Sequence, residues 1–258
     1  MKTKNTVLII ISVIIYLLGY ATSTAFNSLV LLANLEGQSF WGYPEATAYD
    51  SSLTREARMS GMRCPILLTP GESGTISINV RNPNDYPITA WVSAHISMPD
   101  MPENMIRDIQ GVPLEPGERS RLRWEISDEN VIRNRNILVR TFLRLTDRHP
   151  PARTSHCGTI FLDFWGLSGN TIMLVALIGG HLLQAVGIWL LWKTRQKMGK
   201  RNHFARNVFI ALSIFSVAMT VGSLLHSWVL GLMSLLLALL LLFTSFGYGI
   251  GKSDLPVN

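Results

Sequence analysis

The segment 170-NTIMLVALIGGHLLQAVGIWLLW-192 contains no charged residue, and it decides the fold class. A hydrocarbon core about 30 Å thick is crossed by roughly 20 apolar helical residues, so this segment predicts a membrane-spanning helix. Three other uncharged stretches have the same property, at residues 7–25, 207–225 and 229–248. The sequence therefore predicts an integral membrane protein with four transmembrane α-helices, the last two forming a tight hairpin.

The charges that flank these stretches predict their orientation. Nine cations and one acid lie at residues 1–6, 193–206 and 249–258, a net charge of +8, whereas the segment between the first two stretches has 14 Arg, no Lys and 16 acids, a net charge of −2. Positive charge next to a span stays in the cytoplasm. We therefore expect a multi-pass protein of the plasma or inner membrane, with both termini cytoplasmic and residues 26–169 extracytoplasmic.

The basic residues have a topological explanation and do not indicate a nucleic-acid partner. The cytoplasmic loop 193–206 is expected to contact the lipid bilayer and its anionic lipids. Pairs of small residues in the spans favour close helix packing, either within this chain or against partner helices. Other integral membrane proteins are the expected partners.

The first stretch has two interpretations. Lys2 and Lys4 followed by an apolar run, with Ser23-Thr24-Ala25 at its end, would fit a cleaved signal peptide. The apolar run reaches Tyr20, which is long for a signal peptide and favours a retained anchor at residues 1–25. Both interpretations export the segment that follows.

The exported segment changes to short apolar–polar alternations after residue 63. Such alternation buries one face of a strand and leaves the other in solvent, and turn signals separate the runs. The alternating runs are at residues 76–80, 122–126, 137–143 and 160–164. We expect an all-β sandwich of five to seven strands at residues 64–164, preceded by an irregular connector at residues 26–63.

The remaining boundaries follow from the same reasoning. The predicted segments are the second transmembrane helix at 165–192, the basic loop at 193–206, the helical hairpin at 207–248 and a cytoplasmic tail at 249–258.

The two cysteines, Cys64 and Cys157, bracket the predicted sandwich. Export favours a disulfide, and closing so long a loop would stabilise the fold by about 4–5 kcal/mol in the chain-entropy model. A pair of metal or redox thiols is the alternative, although no C-x-x-C motif supports it.

The stretches 67-LLTPGESGTISINVRNPNDYPITAWVS-93 and 114-LEPGERSRLRWEI-126 resemble the generic immunoglobulin-like sandwiches of exported prokaryotic proteins. In those domains a Pro-Gly-Glu turn leads into a strand. The resemblance covers about residues 64–164 and implies a fold with binding or structural roles, but no ligand and no active site.

Two groups of residues suggest cofactors. His95, Met98, Met101 and Met105 combine imidazole with soft thioethers, which select Cu(I); the alternative is that the methionines fill gaps in packing. His181 lies near the middle of the second span, where an ionisable group suggests function, and it could ligate the metal of a haem or a chlorophyll. The alternative is an interhelical hydrogen bond to a polar partner: Gln184, Ser213, Ser216 or Thr220.

Arginines on two alternating runs suggest a docking surface. Arg119, Arg121 and Arg123 share one strand face, and Arg140 and Arg144 share another. If the two strands are neighbours, the five would form one basic patch for an acidic partner or an anionic surface glycan. An ordinary solvated face is the alternative.

Catalytic signatures such as G-x-S-x-G, H-E-x-x-H and phosphate-binding glycine loops do not occur. We therefore predict a non-catalytic accessory subunit of a larger membrane complex, with the sandwich as its interaction module. A cofactor-carrying membrane subunit is the second hypothesis, and an enzyme or transporter of unknown type is the third.

Overall fold

The computed structural model describes residues 2–40, 57–99, 105–144, 153–164, 166–193 and 200–251. The chain forms two compact units. One is helical and comprises Met1–Leu31 with Ile172–Asn258, and the other comprises Leu32–Thr171.

The described residues form five α-helices, most of whose residues belong to the helical unit. They are α1 Lys2–Phe40, α2 Gly169–Leu174, α3 Gly180–Lys193, α4 Lys200–Leu224 and α5 Trp228–Gly251, with a π-helical turn at Val175–Gly179 between α2 and α3. Four helical stretches within the described ranges are long and apolar enough to cross a membrane: Thr6–Phe40, Gly169–Lys193, Arg206–Leu224 and Trp228–Ser245. Four such helices were predicted from the sequence.

The helix α1 corrects the predicted connector at residues 26–63. It continues to Phe40, and its buried residues recur with helical spacing at Phe26, Val30 and Ala33. The connector is therefore helical over residues 26–40, residues 41–56 lie outside the described part of the chain, and Arg58–Arg63 form a strand.

The turn between α4 and α5 is a Schellman motif. His226 has a φ of 51°, its NH donates to the Ser223 carbonyl, and the Ser227 NH donates to the Gly222 carbonyl at 2.8 Å. This pattern satisfies the last carbonyls of a helix and normally uses glycine at the left-handed position. Gly222 also faces Gly231 closely enough that a Cβ atom would lie 2.9 Å from the Gly231 backbone, so the two helices meet at small residues.

The described residues of the second unit form eight strands in two sheets, as in a sandwich. The strands are β1 Arg58–Arg63, β2 Leu67–Leu68, β3 Gly74–Arg81, β4 Ile88–Ser97, β5 Met105–Leu114, β6 Arg119–Ile126, β7 Asn136–Arg144 and β8 Arg153–Phe161. One sheet has the order β1-β3-β6 and the other the order β2-β8-β7-β4-β5. Only the β2–β8 pair is parallel among the described strand pairs.

The core of the sandwich forms where alternate residues of both sheets point inward. Ile76, Ile78 and Val80 of β3 are fully buried, as are Ile137 and Val139 of β7. Cys64 and Cys157 form a disulfide with a Cα–Cα distance of 6.6 Å, and Cys157 belongs to this core. The predicted disulfide is therefore confirmed.

The last turns of α1 pack against β8 within this unit. Gly158 has no room for a side chain, because an added Cβ atom would lie 2.0 Å from the Ala33 carbonyl oxygen. Next to it, the Gly158 NH donates to Asn34 Oδ1 at 3.3 Å. The carboxylate of Glu36 accepts from Arg133 at 3.0 Å and from Arg135 at 3.1 Å.

We predict that Gly158→Ala lowers the stability of the full-length protein by about 1–3 kcal/mol, the usual cost of overpacking a tight contact. The clash is with backbone, so no side-chain rotation can relieve it. The measurement is thermal unfolding in detergent. The matched control is Gly179→Ala, where an added Cβ meets nothing within 4 Å; equal effects of the two substitutions would contradict the packing described here.

Candidate functional site

The outer face of the three-stranded sheet carries arginines at regular positions. Arg81 of β3 pairs with Arg58 of β1 on one side and with Arg119 of β6 on the other. The next outward row is Ser60, Asn79 and Arg121, and the third is Arg63, Ser77 and Arg123. We call the surface formed by Arg58, Arg63, Arg81, Arg119, Arg121 and Arg123 the arginine face.

A β-bulge places Arg63 on this face. Between Ser60 and Arg63 the register of β1 shifts by one residue relative to β3, and Gly61 has a φ of +66°. An extra residue in one strand reverses which face the following side chains occupy. Without the bulge, Arg63 would have the same orientation as the inward residue Met59.

All six arginines of the face are exposed. Glu125, opposite Thr75, is the one acidic residue among the outward positions of β1, β3 and β6. In the described part of the chain, ion pairs to carboxylates involve Arg133 and Arg135 and none of these six. Arg121 donates from Nη2 to Ser77 Oγ at 2.8 Å, which restrains its guanidinium. The face therefore presents cations whose charge is not neutralised by the described residues.

One end of the face is concave. A cleft of about 430 Å³ opens there, and its lining includes Arg58, Arg81, Arg119 and Arg121 together with Ser60 and Asn79. Four guanidinium groups around one cleft repel each other, so a bound anion would relieve that repulsion as well as form hydrogen bonds.

The predicted five-residue patch is wrong in its composition. Arg119, Arg121 and Arg123 belong to the arginine face, but Arg140 and Arg144 lie on β7 of the other sheet. The condition that the two strands be neighbours is not met, since β6 pairs with β3 and β7 pairs with β4 and β8. Arg58, Arg63 and Arg81 of the arginine face were not predicted. The sequence shows the alternation that ends at Arg81, but it does not show that Arg81 pairs with Arg58 and Arg119.

The outer face of the five-stranded sheet is covered only in part. Ser93 and Leu138 are fully buried on that face, and Phe142 is 5% exposed. Toward β5, however, Trp91 and Ile109 are 42% and 46% exposed. The face of the three-stranded sheet differs in carrying six exposed arginines.

The predicted copper ligands are only partly described. His95 packs edge-on against Phe142, and its neighbours across the strands are Arg107 and Arg140, which repel a metal cation. The Sδ atom of Met98 accepts from Asn130 Nδ2 at 3.5 Å. Met105 lies opposite Ser97 at the start of β5, and Met101 lies outside the described residues. The copper site therefore stays a prediction.

The residue proposed as a tetrapyrrole ligand, His181, makes an interhelical contact. Its Nε2 lies 2.9 Å from Thr220 Oγ1, which also accepts from Asn27 Nδ2 at 2.9 Å. Thr220 was one of the hydrogen-bond partners expected from the sequence. The nitrogen that would bind a metal is thus engaged by α4.

Further polar side chains in the helical unit form hydrogen bonds between helices, although Gln184 Oε1 is buried without a partner among the described residues. Gln184 donates to Ser23 Oγ at 2.8 Å, and the hydroxyls of Ser23 and Ser216 lie 3.0 Å apart. The small residue Gly180 allows this approach, because a Cβ atom there would lie 3.0 Å from Ser23 Cβ. These contacts join α1, α3 and α4 within one chain.

His156 lies next to the disulfide-bonded Cys157 on β8, in an unusual environment for an ionisable group. His156 pairs with Arg140 across the strands, and its buried Nδ1 has no hydrogen-bond partner among the described residues. Burial and then the positive charge of Arg140 lower the pKa of His156 to about 4.

No protein-family model and no curated protein matches the chain. Among solved structures, it is similar to a CARDB domain from Pyrococcus furiosus, with 9% identity and a TM-score of 0.32 over 42% of this chain and 88% of that one. A β-glucosidase from Erythrobacter marinus has 15% identity and a TM-score of 0.32, over 42% of this chain and 15% of the enzyme. An alkylpurine DNA glycosylase from Pseudomonas fluorescens has 12% identity and a TM-score of 0.31, over 46% and 35%. Similarity at this level assigns neither a family nor an activity.

We predict that His156 makes stability pH-dependent. Its pKa is about 4 in the folded protein and about 6.5 when unfolded, so the unfolded chain binds more protons between these values. Stability is therefore complete above about pH 6.5 and falls as the pH decreases toward 4, by roughly 1–2 kcal/mol because solvent screens a group that is only partly buried.

The measurement is thermal unfolding of the full-length protein across this pH range. The slope of the unfolding free energy against pH counts the protons taken up on unfolding. His156→Gln should lower that number by up to one. Arg140→Gln should lower it in part, because the pKa of His156 rises without the neighbouring charge. An unchanged slope in His156→Gln would contradict the assignment.

Proposed function

We propose that the chain is a non-catalytic accessory subunit of a larger membrane complex, anchored by its apolar helices and using the sandwich as an interaction module. The observation that carries this proposal is the arginine face. Six exposed arginines on one sheet, without carboxylate ion pairs among the described residues, destabilise the folded domain because like charges repel. A surface of this kind is better explained by a partner of opposite charge than by packing within the chain.

The proposed topology places the sandwich outside the cytoplasm. The basic loop 193–206 and both termini would be cytoplasmic by the positive-inside rule, in the plasma or inner membrane. The disulfide between Cys64 and Cys157 supports this assignment, because disulfides persist in oxidising compartments.

The helical unit supports an anchoring role rather than a transport role. In the described residues its buried polar side chains, such as Gln184, Ser23 and Ser216, hydrogen-bond to one another across helices. None of the four candidate spans contains a carboxylate between its flanks, except Glu36 near the end of α1, and Glu36 binds Arg133 and Arg135. Proton and ion pathways usually need an ionisable group inside the span; His181 is such a group, and its Nε2 is engaged by Thr220 Oγ1 at 2.9 Å.

We predict that the chain, released from its own membranes in mild detergent, carries additional protein-sized mass at a fixed stoichiometry in native mass spectrometry. A strongly denaturing detergent is the control and should yield the bare chain of 28.8 kDa. A bare chain in mild detergent would overturn the proposed role. A bare chain with a haem-, chlorophyll- or copper-sized increment would instead favour a cofactor-carrying subunit.

A further inference from the structure

We propose that the arginine face binds an acidic segment of a partner protein in extended conformation, with carboxylates at alternate residues. This inference rests on the proposed function, because it gives the chemistry of the partner that the sandwich recognises. It concerns the three-stranded sheet alone and depends on no other part of the molecule.

The spacing of the arginines matches an extended peptide. Arg119, Arg121 and Arg123 occupy alternate positions of β6, so their Cα atoms repeat at about 6.6–6.8 Å. An extended peptide lying along β6 has the same repeat between residues that point to one side. Glutamates at alternate positions therefore stay in register with all three arginines. The strand β3, which carries Arg81, lies about 5 Å to the side of β6, and β1, which carries Arg58, lies about 10 Å away.

The side-chain chemistry favours carboxylates. Each exported cation of this chain is an arginine, and the planar guanidinium binds a carboxylate through two parallel hydrogen bonds, which a lysine cannot do. The cleft between Arg58, Arg81 and Arg119 would partly shield such a pair from water and strengthen it. Arg121 is held by Ser77, so less side-chain freedom is lost on binding.

The other outward residues argue against nucleic acids. They are Ser60, Thr75, Ser77, Asn79 and Glu125, and no aromatic side chain is among these outward positions. Single-stranded nucleic acids bind through aromatic stacking as well as charge. A flat polar surface with arginines provides charge and forked hydrogen bonds without stacking, which suits an acidic peptide.

The test measures binding of labelled probes to the full-length protein in detergent by fluorescence anisotropy. The main probe is a peptide of alternating glutamate and serine. The comparison probes are a peptide of the same composition with its glutamates in one block, and a linear polyphosphate with the same number of charges. We expect the alternating peptide to bind most tightly, and its affinity to fall severalfold between ~50 and ~300 mM salt because exposed charge pairs are screened.

Matched variants locate the site. Arg119→Gln should weaken binding of the alternating peptide by roughly twofold to fivefold. Arg107→Gln removes one charge from an exposed strand position in the other sheet and should change affinity far less. The double variant Arg81→Lys with Arg119→Lys keeps the charge and should still weaken binding, because the fork is lost.

Three results would overturn the proposal: no binding of the alternating peptide, equal or tighter binding of the block peptide or polyphosphate, or equal effects of Arg119→Gln and Arg107→Gln. Tighter polyphosphate binding would identify the face as a phosphate-polymer site instead. These results leave the accessory-subunit role standing if native mass spectrometry shows a partner, whereas a bare chain overturns that role whatever the peptides do.

Discussion

Ionised groups are costly in hydrocarbon, and the candidate spans of this chain would meet that constraint with uncharged polar side chains that hydrogen-bond to one another. Gln184 donates to Ser23 and Ser216, and His181 Nε2 contacts Thr220 Oγ1. Glycines make this possible, because a Cβ atom at Gly19 would lie 2.5 Å from the Gly180 carbonyl oxygen. No arginine lies in the interior of a candidate span, and the arginines of the chain are found in the second unit and at residues 195–206.

The two outer faces of the sandwich differ in charge. The outer face of the five-stranded sheet is covered in part, with Leu138 fully buried, whereas the outer face of the three-stranded sheet carries six exposed arginines. Keeping six arginines on an open face costs repulsion unless an anionic partner neutralises them. We therefore interpret the sandwich as a scaffold that holds guanidinium groups at fixed spacing, and the disulfide to Cys157 as a restraint on that scaffold.

Local features of this fold were predicted from the sequence, whereas contacts between residues far apart in the chain were not. Uncharged runs identify the helices, and alternation identifies the outward arginines of β6. The extension of α1 was missed because Asn34 and Glu36 interrupt the apolar run; their partners, Gly158 and Arg133, are far away in the chain. The arginine face was predicted only in part, since strand pairing depends on how the sheets fit together. The bulge at Gly61, which reorients Arg63, could not be recognised from the pattern of apolar and polar residues.

The central claim, that an exported arginine-rich sandwich is anchored by helices with a cytoplasmic basic loop, is tested most directly by cysteine labelling. The native cysteines are both in the disulfide, so one introduced cysteine is the one reactive thiol in the chain. A membrane-impermeant maleimide applied to intact cells should label Thr75→Cys in the sandwich. It should label Asn202→Cys, which lies in the basic segment 193–206 at the start of α4, only after the membrane is permeabilised. Labelling of Asn202→Cys in intact cells, with Thr75→Cys protected, would contradict the account.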